Sequence, residues 1–283
     1  MKDKKILIVG LGLIGGSYAD SLTHLGYEVG AIDTDAKSIE FALKKGIIAH
    51  GKTIVEKDYV EKFDVIIFAL YPKTFVQWIK DYQSYIKQGA ILTDVTGVKQ
   101  AVVYDVQNTL RSDLQFIGAH PMAGKESSGV QNASREVFYG ANYIVTATDK
   151  NSQEAIDFCK DLAKQMGFGR VSELSPERHD EIIGFLSQLA HCLAISLMCC
   201  DDSDDLASFT GDSFRDLTRI AKINDKMWAE LFSLNKDTLV KQIDKFSTTL
   251  DTLRAYIANG DIDGMRQMMK KSTQNRIKFD KNK

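Results

Sequence analysis

The stretch Lys4-Lys5-Ile6-Leu7-Ile8-Val9-Gly10-Leu11-Gly12-Leu13-Ile14-Gly15-Gly16-Ser17 constrains the fold more than any other part of the chain. Its apolar run has the pattern of a buried strand, and it breaks into a glycine turn that opens a helix. Gly10, Gly12 and Gly15 keep the G-x-G-x-x-G spacing. The first glycine makes the turn, the second lets backbone approach a pyrophosphate, and the third lets helix pack on strand. Leu13 and Ile14 sit in that turn, where unpaired helix N–H groups and the helix dipole favour an anion. Tyr18, Leu22 and Leu25 give the helix its apolar side. A second strand, Glu28 to Asp33, ends on an acid about twenty residues past the turn, the place of a carboxylate that accepts from adenosine ribose hydroxyls. No arginine lies near it, and Lys37 is the nearest cation, which favours NAD over NADP.

Composition excludes several other classes. The 283 residues carry 36 Lys and Arg against 38 Asp and Glu, a net charge of −2, so there is no electrostatic footprint for nucleic acid. No apolar run is expected to span a membrane, and the chain enters a strand at once without a leader, so a cytoplasmic protein is expected. Cys159, Cys192, Cys199 and Cys200 show no paired metal spacing, and buried free thiols are expected. The run Asp201 to Asp205 lacks the glycine and distal glutamate of a calcium loop, so it is expected to connect helices rather than bind metal. The basic residues Lys270, Lys271, Arg276, Lys278, Lys281 and Lys283 fit a solvated helix end and tail.

Along the chain, a helix (37–45) leads to a short segment at Ile47-Ile48. Phe63 to Leu70 is apolar throughout, as in a parallel strand buried on both faces. Tyr71-Pro72 closes it, and a helix (74–86) follows. Ala90 to Val95 and Gln115 to His120 are further strands, with a helix opened at Thr96-Gly97-Val98-Lys99 between them. Strands alternating with helices predict a doubly wound, mostly parallel sheet, and ligands bind such sheets beyond the carboxyl ends of the strands. Gly10, Asp33, Leu70, Tyr71, Val95 and His120 all fall at such ends and converge on one crevice. Asn142–Thr146 and Gly167–Val171 are the last strand candidates. From Ser175-Pro176 onward the periodicity is helical, so an α/β dinucleotide-binding domain (1–172) is expected to precede an all-α domain (173–283). The helical part has more apolar faces than a domain of its size buries alone, which predicts a homodimer.

His120-Pro121-Met122-Ala123-Gly124-Lys125-Glu126-Ser127-Ser128-Gly129 is the most specific string in the chain. With Ser187-Gln188-Leu189-Ala190-His191, Phe214-Arg215-Asp216-Leu217-Thr218-Arg219-Ile220-Ala221 and the opening glycine turn, it resembles the prephenate/arogenate dehydrogenase family of tyrosine biosynthesis. The resemblance implies a Rossmann-type sheet, NAD as cofactor, and oxidative decarboxylation of a cyclohexadiene that becomes aromatic. It makes His120 the catalytic histidine that bonds the ring hydroxyl and Arg219 the arginine that grips a substrate carboxylate. It brings His191 to the substrate side chain, Trp228 near the substrate pocket, and Glu126 either to the entrance as a gate or to solvent as a loop acid. His179 and Asp180 match a family position near a helix start, where capping explains them. Where relatives carry Gly-Ser, this chain has Thr96-Gly97. Either the Thr96 hydroxyl or a water takes over from the family serine as the partner of His120. Prephenate is the expected substrate, with arogenate, which has an amine for the ketone, as the alternative. A non-catalytic NAD-binding redox sensor would not need His120 and Arg219 to face one pocket.

Overall fold

A computed structural model describes residues 3–125 and 127–280. Along the chain run β1 (Lys5–Val9), α1 (Leu13–His24), β2 (Glu28–Ile32), α2 (Ala36–Lys44), β3 (His50–Lys52), α3 (Lys57–Val60), β4 (Val65–Phe68) and α4 (Pro72–Tyr82). Next come β5 (Ile91–Asp94), α5 (Gln100–Thr109), β6 (Gln115–Met122), β7 (Asn142–Thr146), α6 (Gln153–Gln165) and β8 (Arg170–Leu174). Helices complete the chain: α7 (Pro176–Met198), α8 (Asp212–Thr218), α9 (Asp225–Leu234), α10 (Lys236–Ala258) and α11 (Ile262–Ile277). Met1–Asn235 and Lys236–Lys283 are two compact units.

The described strands form a sheet in the order β3-β2-β1-β4-β5-β6-β7-β8. Strands β1 to β6 are parallel, as their apolar runs predict. The chain leaves β1 in one direction for β2 and β3 and in the other for β4, so the switch point lies between β1 and β4. Alternation along each strand builds two cores. Ile6, Ile8, Val65 and Ile67 face α1 and α6, among Tyr18, Leu22 and Leu162. Leu7, Val9, Ile66 and Phe68 face α4 and α5, among Phe75, Trp78 and Val102. Each such side chain, fully withdrawn from water, contributes about 1.5–3 kcal/mol.

Three features differ from the sequence expectation. The third strand, His50–Lys52, lies past the short segment at Ile47-Ile48, because Gly46 turns the chain with φ +68° and Ile48 is spent on the core. Strand β6 runs on to Met122. Its ladder with β5 stops at Thr93–Ile117, and its overhang, Gly118 to Met122, pairs antiparallel with β7. Strands β7 and β8 are parallel to each other, so they extend the sheet from that overhang and return the chain to the carboxyl edge, where α7 starts. Ser175 caps α7, accepting from Arg178 N–H, with Pro176 in the first turn.

The long helix α7 holds the third difference. By length and composition it could cross a membrane, with a window of mean hydropathy 1.5. The sequence reading missed this because Ser187, Gln188 and His191 interrupt the apolar run. A wide π-helical turn, Gly184–Leu189, sits in its middle. Phe185, Leu186 and Met198 are exposed on it, and Cys199 and Cys200 at its end are exposed rather than buried. Cys159 is buried as expected, and Cys192 is intermediate. In the second unit, Leu250 and Ile257 on α10 are likewise exposed. The basic residues Lys270, Lys271 and Arg276 are exposed on α11, whereas Lys281 and Lys283 lie outside the described residues.

Candidate active site

At the switch point, Gly10 adopts φ +97°, and a Cβ there would lie 2.5 Å from the Ala69 carbonyl oxygen. A Cβ on Gly15 would sit 1.9 Å from the Gly10 carbonyl oxygen, so only glycine lets α1 press onto the turn. The Cβ direction of Gly12 is open, with no atom within 4 Å. Gly12 is the N-cap of α1, no side chain caps it, and its first turn holds no acid. Leu13 and Ile14 follow, half-buried. The helix therefore presents its N-terminal dipole to an open backbone cradle, which fits a pyrophosphate. Asp33 is pinned over the turn: its Oδ2 accepts from Leu11 N–H (2.6 Å) and its Oδ1 from Asp35 N–H (2.8 Å). Beside it lies a cavity of about 300 Å³ lined by Asp35, Lys37, Ser38, Phe41, Val130 and Gln131. Leu70, Tyr71 and Val95 line the ends of β4 and β5, partly exposed. The Tyr71 hydroxyl accepts from Asn224 Nδ2 (2.9 Å) at the start of α9.

His120 stands on the β6 overhang, half-buried. Its Nδ1 lies 2.9 Å from His179 Nε2, and His179 Nδ1 lies 2.7 Å from Asp180 Oδ1. Asp180 also accepts from Lys99 N–H and Gln100 N–H, both at 2.8 Å, and so caps α5 from α7. The Nε2 of His120 points the other way: a Cβ on Gly97 would lie 3.8 Å from it and 3.6 Å from Leu231 on α9. Burial holds the His120 imidazole well below its ordinary pKa, and the His179 and Lys99 charges push the same way. Burial also lowers His179, against the pull of Asp180. His191 is lowered by burial too.

These three shifts set the acid behaviour of the fold. Between the depressed folded values and the ordinary value near ~6.5, the unfolded chain binds more protons, so stability climbs with pH there. Denaturation midpoints are expected to fall as pH drops below about 6.5. Midpoints that stay flat down to the carboxylate range would mean the three rings meet water freely.

Beneath His120, Asp94 and Lys99 form an ion pair with both side chains fully buried, Nζ to Oδ2 2.6 Å. Burial lowers Lys99, and Asp94 opposes it. Asp94 also accepts from Thr96 N–H (3.0 Å) and, through Oδ1, from Ala119 N–H (2.9 Å). The Thr96 hydroxyl belongs to this cluster: it bonds Asp94 Oδ2, lies 2.9 Å from the Val98 carbonyl, and accepts from Lys99 Nζ (3.0 Å). The Thr96 hydroxyl, one of the two partners weighed for His120, is therefore engaged within the Asp94 cluster. A buried carboxylate needs donors, and Thr96 supplies two of them. A Cβ at position 97 would meet Nε2 and Leu231 at ordinary contact distance.

From the helical side, His191 stacks on Trp228 with ring centroids 3.7 Å apart, and its Nδ1 lies 2.9 Å from the Ser187 carbonyl. Trp228 is one turn from Leu231, the residue that faces Gly97. Gln188, in the π-helical turn, and Asp180 are both bonded by Asn235 Nδ2, which ties α7 to the end of α9. Arg219 is exposed on a short 3₁₀ turn (Arg219–Ala221) that packs against α7 just beyond His191. Glu126 lies outside the described residues. His179 and Asp180 are the pair that sequence reasoning set aside as a cap.

Oxidising an alcohol takes two partners, a base for the hydroxyl proton and a carrier for the hydride. Here an imidazole whose Nε2 has no hydrogen-bond partner among the described residues shares the carboxyl edge with a pyrophosphate cradle. Fold and site together define a nicotinamide-dinucleotide-dependent dehydrogenase. The chain belongs to the prephenate dehydrogenase family. Residues 19–172 match that family's nucleotide-binding domain and residues 175–271 its dimerization domain. It is 34% identical to the prephenate dehydrogenase of Bacillus subtilis, over 95% of this chain and 74% of that one. It is 32% identical to the enzyme of the same name from Lactococcus lactis, over 91% and 72%. A crystal structure of prephenate dehydrogenase from A. aeolicus, in complex with hydroxyphenyl propionate and NAD+, superposes with a TM-score of 0.89 at 32% identity, covering 98% of each chain.

Proposed function

We propose that this protein oxidatively decarboxylates prephenate to 4-hydroxyphenylpyruvate and CO2, reducing NAD+ to NADH, in tyrosine biosynthesis. The observation that carries this reading is the placement of His120 Nε2, open at the carboxyl edge, in a chain whose family acts on this substrate class. Residues 1–172 form the dinucleotide-binding domain, and 173–283 the helical substrate-binding and dimerisation domain. The break between the two family matches supports that division. Exposed apolar residues on α7 and α10 support a homodimer in which a second copy covers them. An enzyme of this biosynthetic kind works in the cytoplasm.

NAD+, when bound, supplies the hydride acceptor. Gly10, Gly12 and Gly15 seat its pyrophosphate with Leu13 and Ile14, Asp33 takes the adenosine ribose, and Leu70, Tyr71 and Val95 flank the nicotinamide side. His120 accepts the proton from the ring hydroxyl as the carbon beneath it loses hydride. The ring carboxylate leaves as CO2, and its bonding pair runs through the ring to the oxygen, which takes a proton back. Aromatisation drives the sequence, so the protein's work is holding a dianion and moving one proton. Arg219 grips a carboxylate through parallel N–H bonds. His191 takes the side chain, with Trp228 stacked on it beside the substrate pocket.

The test is a steady-state assay of NAD reduction with prephenate and with arogenate, on wild type and Arg219→Ala. Prephenate is expected to turn over with CO2 release. Arg219→Ala is expected to raise KM by roughly 10- to 150-fold, the loss of a charged hydrogen bond. Turnover of arogenate alone overturns the substrate, and an unchanged KM removes Arg219 from the site.

A further inference from the structure

We propose that His179 and Asp180 are positioning residues of the proton-accepting step: they decide which nitrogen of His120 carries the lone pair, and they hold the charge that forms there. The proposal rests on the role given to His120 above. It follows from the direction of two hydrogen bonds. An ionised carboxylate only accepts, so the proton between Asp180 Oδ1 and His179 Nδ1 belongs to the histidine. A neutral imidazole with its proton on Nδ1 has a lone pair on Nε2. That lone pair faces His120 Nδ1 at 2.9 Å, so the proton in this contact belongs to His120. The remaining nitrogen, His120 Nε2, is then bare, and it is the one that faces Gly97 and the crevice.

Capping alone does not account for the pair. A cap needs Asp180 and the two N–H groups of Lys99 and Gln100. It does not need a histidine with no exposed side-chain surface whose two ring nitrogens are spent on Asp180 and on His120. Nor does α7 need Asp180 for its own start, since Ser175 already caps it.

The charged groups facing the two rings come from three elements. Asp180 lies beside His179 on α7, Asp94 ends β5, and Lys99 stands before α5. Lys99 opposes a cation on either ring, while Asp180 and Asp94 favour one on His179. When the substrate O–H bond breaks, its proton goes to His120 Nε2, and the Nδ1 proton leans on His179, whose far side rests on Asp180. The cation is shared between two rings and neutralised at one end. When the electron pair released by decarboxylation reaches the ring oxygen, the same proton returns to it. The line of three groups therefore stores a proton for one turnover and exports none.

Histidine ¹⁵N spectra of the wild-type protein, without cofactor or substrate, read the tautomer directly, with the His120 signals assigned by their loss in His120→Asn. A protonated Nδ1 and bare Nε2 on His120 are expected, and the opposite tautomer overturns the proposal whatever the substrate proves to be. Kinetics give a second arm. In His179→Gln the amide oxygen accepts from His120 Nδ1, and in His179→Leu nothing does. The leucine variant is expected to lose about 10- to 100-fold in kcat, as loss of an orienting partner does elsewhere, with KM for prephenate little moved. The glutamine variant is expected to recover most of that loss. Equal losses in two folded variants, or none in either, overturn it.

Discussion

His120→Asn is expected to lower kcat by roughly 10²- to 10⁴-fold, about 3–5 kcal/mol of transition-state stabilisation, and to leave NAD+ and NADH affinity intact. Asparagine keeps a polar group on the β6 overhang, but its amide does not act as a base at neutral pH. The cofactor cradle is built elsewhere, from the turn after β1 and the acid after β2, and none of its contacts passes through His120. The burial that lowers His120 keeps it unprotonated at neutral pH, ready to accept. Initial rates and NADH fluorescence titration separate the two effects. Unchanged turnover would take the proton-accepting role away from His120, and a large loss of NADH affinity would mean the substitution disturbs the sheet edge.

Lys99→Met is expected to cost about 3–5 kcal/mol of stability, because it strands the Asp94 carboxylate in full burial. The two N–H groups and the threonine hydroxyl that remain on Asp94 satisfy its lone pairs without cancelling its charge. For a chain of this size the melting temperature falls on the order of 10 °C. Adding Asp94→Asn to Lys99→Met removes the stranded charge and is expected to recover part of the loss, a coupling that contacting residues show and distant ones do not. A double variant no more stable than the single one would place the cost in packing of the lysine stem, not in the charge.

How far the sequence carried the fold and the site depends on what kind of constraint each residue obeys. Gly10, Gly15 and Asp33 were legible because their roles are local: one φ angle, one close approach and one acid at a fixed remove. Strands β1 and β4 were legible because burial on both faces leaves a continuous apolar run. The direction of β7 was not, since the same five residues pair either way, and only the overhang of β6 decides it. The engagement of the Thr96 hydroxyl was not legible, because Asp94, two residues before it, is a buried acid, and that burial is invisible until the sheet closes. The roles of His179 and Asp180 had a signal. Ser175 already serves as N-cap of the helix, so a His-Asp pair in its second turn had nothing left to cap on its own element. The exposed thiols at the end of α7 follow from a helix that outruns the cover its own unit gives it.

The ladder of β5 ends at Ile117, three residues short of His120, and further along β6 Ala119 N–H bonds the Asp94 side chain instead. A carboxylate thus stands in for a missing piece of backbone and fixes how far along the strand the base sits. Heat adaptation in this lineage then has little freedom at its own centre. Apolar repacking, often neutral or favourable for a buried ion pair, would here unseat the base. Gains in thermal tolerance have to come from loops and helix surfaces.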